Sequence, residues 1–245
     1  MGKLGKFLIF IFVSSSFSLI THAQVIETRG GGYIVSKSRY PAVVRIDMGR
    51  KGWHCSATLV GPNVILTATH CADDKFEEET VIHKFGHFYI GKKKYNFKFY
   101  THQEVMNENL DMAIGIVDQN VQEVKPMTIS FNEKLGKKMI MLGYGCTKEY
   151  LAETYVIAQG TGDDSRSLVS SDPNKKVYAC GGDSGGPTVA YNLDLKLRIN
   201  GIHYFSTRTY MTGDLRTDTA QVKKFVQTMA EKENLKICGY NLDCD

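Results

Sequence analysis

Gly181-Gly182-Asp183-Ser184-Gly185-Gly186-Pro187 sets a single serine among four glycines. Glycine lets the chain turn sharply and lets backbone come close to another molecule, where a larger side chain would stand in the way. Such a turn can aim consecutive N–H groups at one point, as an oxyanion developing on a substrate carbonyl requires. A serine hydroxyl is a weak nucleophile near neutral pH. It needs a base within hydrogen-bond reach, and that base needs an acceptor to fix its tautomer and steady its charged form. Two other stretches offer these partners. Thr67-Ala68-Thr69-His70-Cys71 ends a strand-like run with a histidine beside a cysteine, and Asn109-Leu110-Asp111-Met112-Ala113-Ile114 leads an aspartate into another. Chain order is histidine, aspartate, serine. Each stretch alone reads as an ordinary turn or strand edge; their joint occurrence points to acyl-transfer chemistry.

The chain around these motifs reads as β-rich. Ala42–Met48, Thr58–Thr67, Val81–Ile90, Tyr95–Tyr100, Met112–Val117, Lys138–Leu142, Thr154–Ile157 and Leu197–Tyr204 are short runs of β-branched and aromatic residues. Turns such as Gly61-Pro62-Asn63 and Gly91–Lys94 separate them, which favours barrels or sandwiches over βα repeats. One helix is predicted from Thr219, with apolar residues at Val222, Phe225, Val226 and Met229 at i, i+3, i+4, i+7 spacing.

Together the three motifs resemble those of the chymotrypsin/trypsin-like serine peptidases, over a stretch running from about Pro41 to the C-terminal helix. The resemblance implies an all-β fold of two perpendicular six-stranded antiparallel barrels with a C-terminal α-helix and the site in the cleft between the barrels. It implies Ser184 as nucleophile, His70 as general base and then acid, and Asp111 as the orienting carboxylate. The amides of Gly182 and Ser184 would form the oxyanion hole. Cys55 and Cys71 match the disulfide that the family places beside its histidine. Cys146, after Gly143-Tyr144-Gly145, falls where a family loop approaches the nucleophile, which implies Cys146–Cys180 and leaves Cys238–Cys244 as a small terminal ring.

Two departures from the family pattern bear on activity and specificity. Family members free an Ile-Val-Gly-Gly terminus whose ammonium pairs with the aspartate before the nucleophile, here Asp183. The equivalent stretch of this chain is Arg29-Gly30-Gly31-Gly32. Asp183 must then be neutralised by a terminus at Gln24, by an end trimmed near Arg29 or by an internal partner, or else the pocket stays loose. At the specificity pocket, Tyr178 stands where trypsin-like members carry an aspartate, and Tyr204-Phe205-Ser206 matches a Ser-Trp-Gly wall. Registering Thr217-Asp218-Thr219 on the strand before the last helix puts Asp214 on a second wall; a shift of one puts Gly213 there. The first register implies a basic P1 residue recognised through Asp214, with small or apolar P1 residues as the alternative.

Composition and the termini bound the remaining choices. The chain has 245 residues, 42% of them hydrophobic and 23% charged, which excludes a disordered chain, a collagen and a small disulfide scaffold. Lys3 and Lys6, the apolar Phe7–Val13, and small residues at Thr21 and Ala23 describe a secretory signal peptide over residues 1–23. Serines at 14–16 and 18 interrupt it short of the ~20 apolar residues a membrane anchor needs. The formal charge of +4 falls to +2 without Lys3 and Lys6, so neither nucleic acid nor an anionic membrane is called for as a partner. Residues 24–32 form an N-terminal or pro-segment and 33–245 the peptidase domain, its two barrels meeting near residues 120–135. Secretion favours pairing of all six cysteines. His83 and His87, four apart on a strand-like stretch, are too far separated to share a metal. The acidic run Asp73-Asp74 and Glu77-Glu78-Glu79 is of the kind that attracts calcium. In some relatives, however, the calcium loop falls later, over His83–Lys93, where this chain is basic. Lys92–Lys94 reads as a solvated hairpin tip. No metal and no cofactor are expected.

The expected function is a secreted, monomeric serine endopeptidase that hydrolyses polypeptides through an acyl-enzyme, with protein inhibitors as a further class of partner. A second reading is a protease-fold binding protein with a weak or silent site, favoured by the missing Ile-Val-Gly-Gly. A third, an esterase of the α/β-hydrolase kind, finds its Gly-x-Ser-x-Gly in Gly182–Gly186 but needs the chain order serine, aspartate, histidine.

Overall fold

A computed structural model describes residues 32–48, 53–72, 85–100, 110–131, 138–147, 149–161, 167–171, 178–206 and 211–245. The expected signal peptide, Gln24, Arg29, the acidic run at 73–79, His83 and Asn109 lie outside these residues. Two closed six-stranded antiparallel barrels and a C-terminal helix make up the fold, which is mostly β. The first barrel is built from β2 (Val43–Asp47), β3 (His54–Gly61), β4 (Val64–Thr67), β5 (Phe85–Ile90), β6 (Lys93–Tyr100) and β7 (Ala113–Val117). It closes in the order β2-β3-β4-β7-β6-β5. Alternation makes its interior: Tyr95, Phe97 and Phe99 of β6 point inward, while Lys94 and Asn96 stay in water. Phe88 stacks on Tyr95 at 5.3 Å and Phe97 meets Phe99 edge-on at 4.9 Å, so aromatic rings fill this core.

The second barrel comprises β8 (Lys138–Gly143), β9 (Leu151–Thr161), β10 (Ser167–Ser171), β11 (Pro187–Tyr191), β12 (Leu197–Ser206) and β13 (Met211–Arg216). The run β9-β10-β13-β12-β11-β8 closes because β8 also pairs with β9, Leu142 opposite Glu153. The first strand of the chain, β1 (Tyr33–Val35), adds to this second barrel, with Val35 opposite Leu151. Between the barrels the chain hands over within three residues. Met127 N–H bonds the Leu59 carbonyl of β3, and Ile129 bridges Ile199 of β12. One apolar cluster spans the junction, joining Val43, Leu66 and Ile114 to Leu142, Val189, Ile202 and Leu215.

The helix α2 (Ala220–Lys232) closes the fold on that shared cluster. Thr219 caps it in extended conformation, its hydroxyl accepting from Val222 N–H at 3.3 Å. Val222, Phe225, Val226 and Met229 are all buried, as the periodicity predicts. Each such side chain contributes roughly 1.5–3 kcal/mol of burial. The strand reading needs five corrections. Thr58–Thr67 is two strands hinged at Pro62–Asn63, and three elements of the second barrel, β10, β11 and β13, went unrecognised, as did β1. Ser167–Ser171 and Met211–Arg216 carry few β-branched residues, and β11 begins at the proline that ends the glycine motif. Their pairing comes from neighbours already in the barrel rather than from their own propensity.

Candidate active site

His70 and Asp111 meet because of strand register. β4 pairs with β7, Thr67 opposite Ala113, so the residues running out of β4 pass those running into β7. The chain leaves β4 in a single helical turn, α1 (Thr69–Ala72), and Cys71 of that turn is bonded to Cys55 of β3. Asp111 then grips His70 at two points. Its Oδ1 accepts the His70 backbone N–H at 2.9 Å, and its Oδ2 lies 2.5 Å from His70 Nδ1. A carboxylate on Nδ1 fixes the tautomer that leaves Nε2 free to accept a proton. Both side chains are only partly exposed.

The turn that carries Ser184 is seated on the same strand ends. Ser56 N–H of β3 donates to the Ser184 carbonyl at 2.9 Å. Gly185 has φ +79°, and a Cβ there would lie 1.9 Å from Thr67 Oγ1 and 2.8 Å from the Ala68 nitrogen. Only glycine lets the turn rest this close to the segment that carries His70. On its other side Gly185 N–H donates to the His203 carbonyl at 2.7 Å, and His203 N–H to Gly186 at 2.9 Å, which ties the turn to β12. Gly182 has φ +104°, its open face covered by the His54 ring. Neither Gly182 N–H nor Ser184 N–H has a protein acceptor among the described residues.

Asp183 is buried, and its partners are internal. Oδ1 accepts Gly145 N–H and Oδ2 accepts Cys180 N–H, each at 2.7 Å. Gly143 and Gly145 leave room for it: a Cβ on either would come within 2.6 Å of the Asp183 side chain. Burial pushes its carboxyl above the ordinary value, while the Cys180 amide, His203, the Gly145 amide and His54 pull it down. Of the three partners considered for Asp183, the ends at Gln24 and Arg29 lie outside the described residues, and the internal contacts are these two amides. The Cys146–Cys180 disulfide fixes the two donor segments together, and Cys238–Cys244 closes the terminal ring, so all three expected pairings are made. The side-chain groupings close enough to hold a metal, Cys55/His70/Cys71 and Cys146/Cys180/Asp183, each include disulfide-bonded cysteines with no thiolate to offer.

The residues expected to line a specificity pocket lie as follows. Tyr178 and Tyr204 are half-buried and Ser206 is exposed at the end of β12. Tyr204 packs edge-on against Phe205 at 4.8 Å, and the Phe205 ring fills the space beside Gly213, where a Cβ would overlap it. Asp214, placed on a second pocket wall by one of the two registers, is fully buried. Its Oδ1 accepts from Thr188 Oγ1 at 2.7 Å and lies 3.3 Å from His203 Nδ1. A cavity of about 410 Å³ lies elsewhere, between Thr128–Phe131, Arg198 and the Gly239–Asp245 tail, and touches none of these groups.

Sequence reasoning missed Ser56 and His54 of β3 and His203 of β12, which contact the turn from the two barrels. The glycines flanking Tyr144 were visible, and a glycine on either side of one residue is the signal that something packs closely there. Among the described residues no helix is long and apolar enough to cross a membrane.

No curated protein matches the chain. Among solved structures it is similar to a Glu endopeptidase determined with MPD, at TM-score 0.64 and 18% identity, covering 84% of this chain and 98% of that one. It is also similar to the Rv3671c protease in its inactive form, at TM-score 0.54 and 16% identity, covering 78% and 88%. At these identities the likeness is one of fold. The Trypsin family model matches residues 29–226, which takes in His70, Asp111 and Ser184, and the chain belongs to the trypsin family of chymotrypsin-like serine peptidases.

Proposed function

We propose that this protein is a secreted serine endopeptidase in which Ser184 attacks the scissile carbonyl. His70 takes its proton and returns it to the leaving amine, Asp111 holds the imidazole, and the Gly182 and Ser184 amides meet the oxyanion. Water then repeats the sequence on the acyl-enzyme, with Ser184 as leaving group. The observation that carries this reading is the two-point grip of Asp111 on His70 beside a serine turn whose Gly182 and Ser184 amides have no acceptor among the described residues. The signal-like residues 1–23 and three disulfides support an extracellular monomer acting on polypeptides, with protein inhibitors as partners. At P1 the closed environment of Asp214 and the Phe205 ring favour small or apolar residues over lysine or arginine. Glutamate belongs in the same substrate panel, because the Glu endopeptidase shares the fold and His203 is the basic side chain beside Asp214.

A fluorophosphonate probe tests the assignment. Stoichiometric labelling of the wild type at Ser184 is expected, together with a loss of about 10⁶ in kcat for Ser184→Ala. A wild type that takes no label would favour the second reading, a protease-fold binding protein, for which the ring beside Gly213 is the supporting feature.

A further inference from the structure

We infer that Ser56 is the positioning residue of the oxyanion turn, its buried hydroxyl fixing the Gly182–Asp183 peptide and so the two amides that face the oxyanion. The inference rests on the catalytic reading of Ser184. Both dihedrals of a glycine are soft, so a turn that opens with Gly181-Gly182 keeps one shape only through the bonds made to it. Those bonds can be followed group by group. The Asp183 N–H donates to the Cys180 carbonyl at 3.0 Å, and the Asp183 carbonyl accepts Gly186 N–H at 2.9 Å. The Ser184 carbonyl is taken by Ser56 N–H, and Gly185 N–H by His203. The Gly182 carbonyl accepts the Ser56 hydroxyl at 2.8 Å.

Ser56 is fully buried and its one hydroxyl proton is committed. Its hydroxyl gives its one proton to Gly182 and accepts Tyr144 N–H at 3.0 Å, and its own carbonyl accepts the Thr67 hydroxyl at 2.8 Å. One residue of the first barrel thereby bonds two carbonyls of the turn and the strand end that leads to Asp183's cradle at Gly145. With the hydroxyl gone, the Gly182 carbonyl and the Tyr144 amide are left unpaired in the interior, and the Gly182–Asp183 peptide is held only at its N–H end. The Gly182 and Ser184 amides then lose their common aim. Ser56 touches neither substrate nor His70, so its loss should appear in the chemical step and leave binding alone.

The test compares wild type, Ser56→Ala and Ser56→Thr on a chromogenic peptide and with a fluorophosphonate. Ser56→Ala should lose about 10–100-fold in kcat, somewhat less than removal of an oxyanion donor. Its KM should stay within about twofold, its labelling rate should fall in parallel, and the His70 limb of its pH profile should not move. Ser56→Thr, which keeps the hydroxyl, should recover most of the rate. If Ser56→Ala does not fold, Ser56→Gly takes its place, since it lacks the same hydroxyl. A hydroxyl-free variant with kcat within about twofold of wild type, or with a change in KM alone, overturns the inference. A wild type that neither cleaves nor labels overturns the catalytic reading instead.

Discussion

Asp111 holds His70 through two different atoms, and the two contacts have separate consequences. The backbone contact fixes where the ring starts, and the Nδ1 contact fixes which nitrogen carries the proton. In Asp111→Asn the carboxamide can still accept the backbone N–H, but its NH2 then faces Nδ1 and drives the proton to Nε2. Expected is a fall of about 10⁴ in kcat with the fold intact, read from steady-state kinetics and circular dichroism. Asp183 makes a pH prediction. Its folded pKa lies above the ordinary carboxylate value because burial outweighs the amide bonds. An acid of this kind holds its proton more readily when folded, so its contribution to stability falls as the pH rises through the folded value. Denaturant melts of wild type and Asp183→Ala should therefore diverge in favour of wild type as the pH is lowered from neutral. The difference should level off below the ordinary carboxylate range near 4. A difference that grows as the pH rises would mean that a cation neutralises Asp183.

At the scale of single elements, α2 is the clearest case of sequence dictating structure. Its apolar stripe, its cap and its packing all agree, so Thr219→Ala should cost about 1 kcal/mol by losing the hydroxyl that meets Val222 N–H. Calorimetry would detect this as a drop in Tm, and no change would mean that water replaces the cap. The motif residues were equally legible, because His70, Asp111 and Ser184 sit in short stretches whose chemistry does not depend on distant neighbours. The pocket was not. The register on Thr217–Thr219 could place Asp214 but not disclose its partners, Thr188 and His203, which reach it from β11 and β12. Nor did local pattern disclose β13, whose six residues include glycine, aspartate and arginine. Its place follows from pairing on both sides, with β10 and with β12. Ser56 illustrates the same limit at the active site: it looks like any strand serine until residues far along the chain fold onto it.

The molecule as a whole is two barrels on one shared core. Val43 and Ile114 of the first barrel, Val189 and Ile202 of the second, and Phe225 of α2 belong to a single apolar cluster. Phe225→Ala should then cost about 3–5 kcal/mol and lower the melting of both barrels together, as one calorimetric transition. Two resolved transitions would show that the barrels unfold independently. The route of the polypeptide also matters, for it begins on one barrel, builds the other, and then returns. Tyr33–Val35 pair with residues 151–153, so this earliest described strand has no partner until β9 has been translated. On the ribosome the N-terminal barrel can close while its leading end still hangs loose. Docking that end is a long-range event that waits for β9: it comes after the first barrel can close and before β10–β13 and α2 have been made.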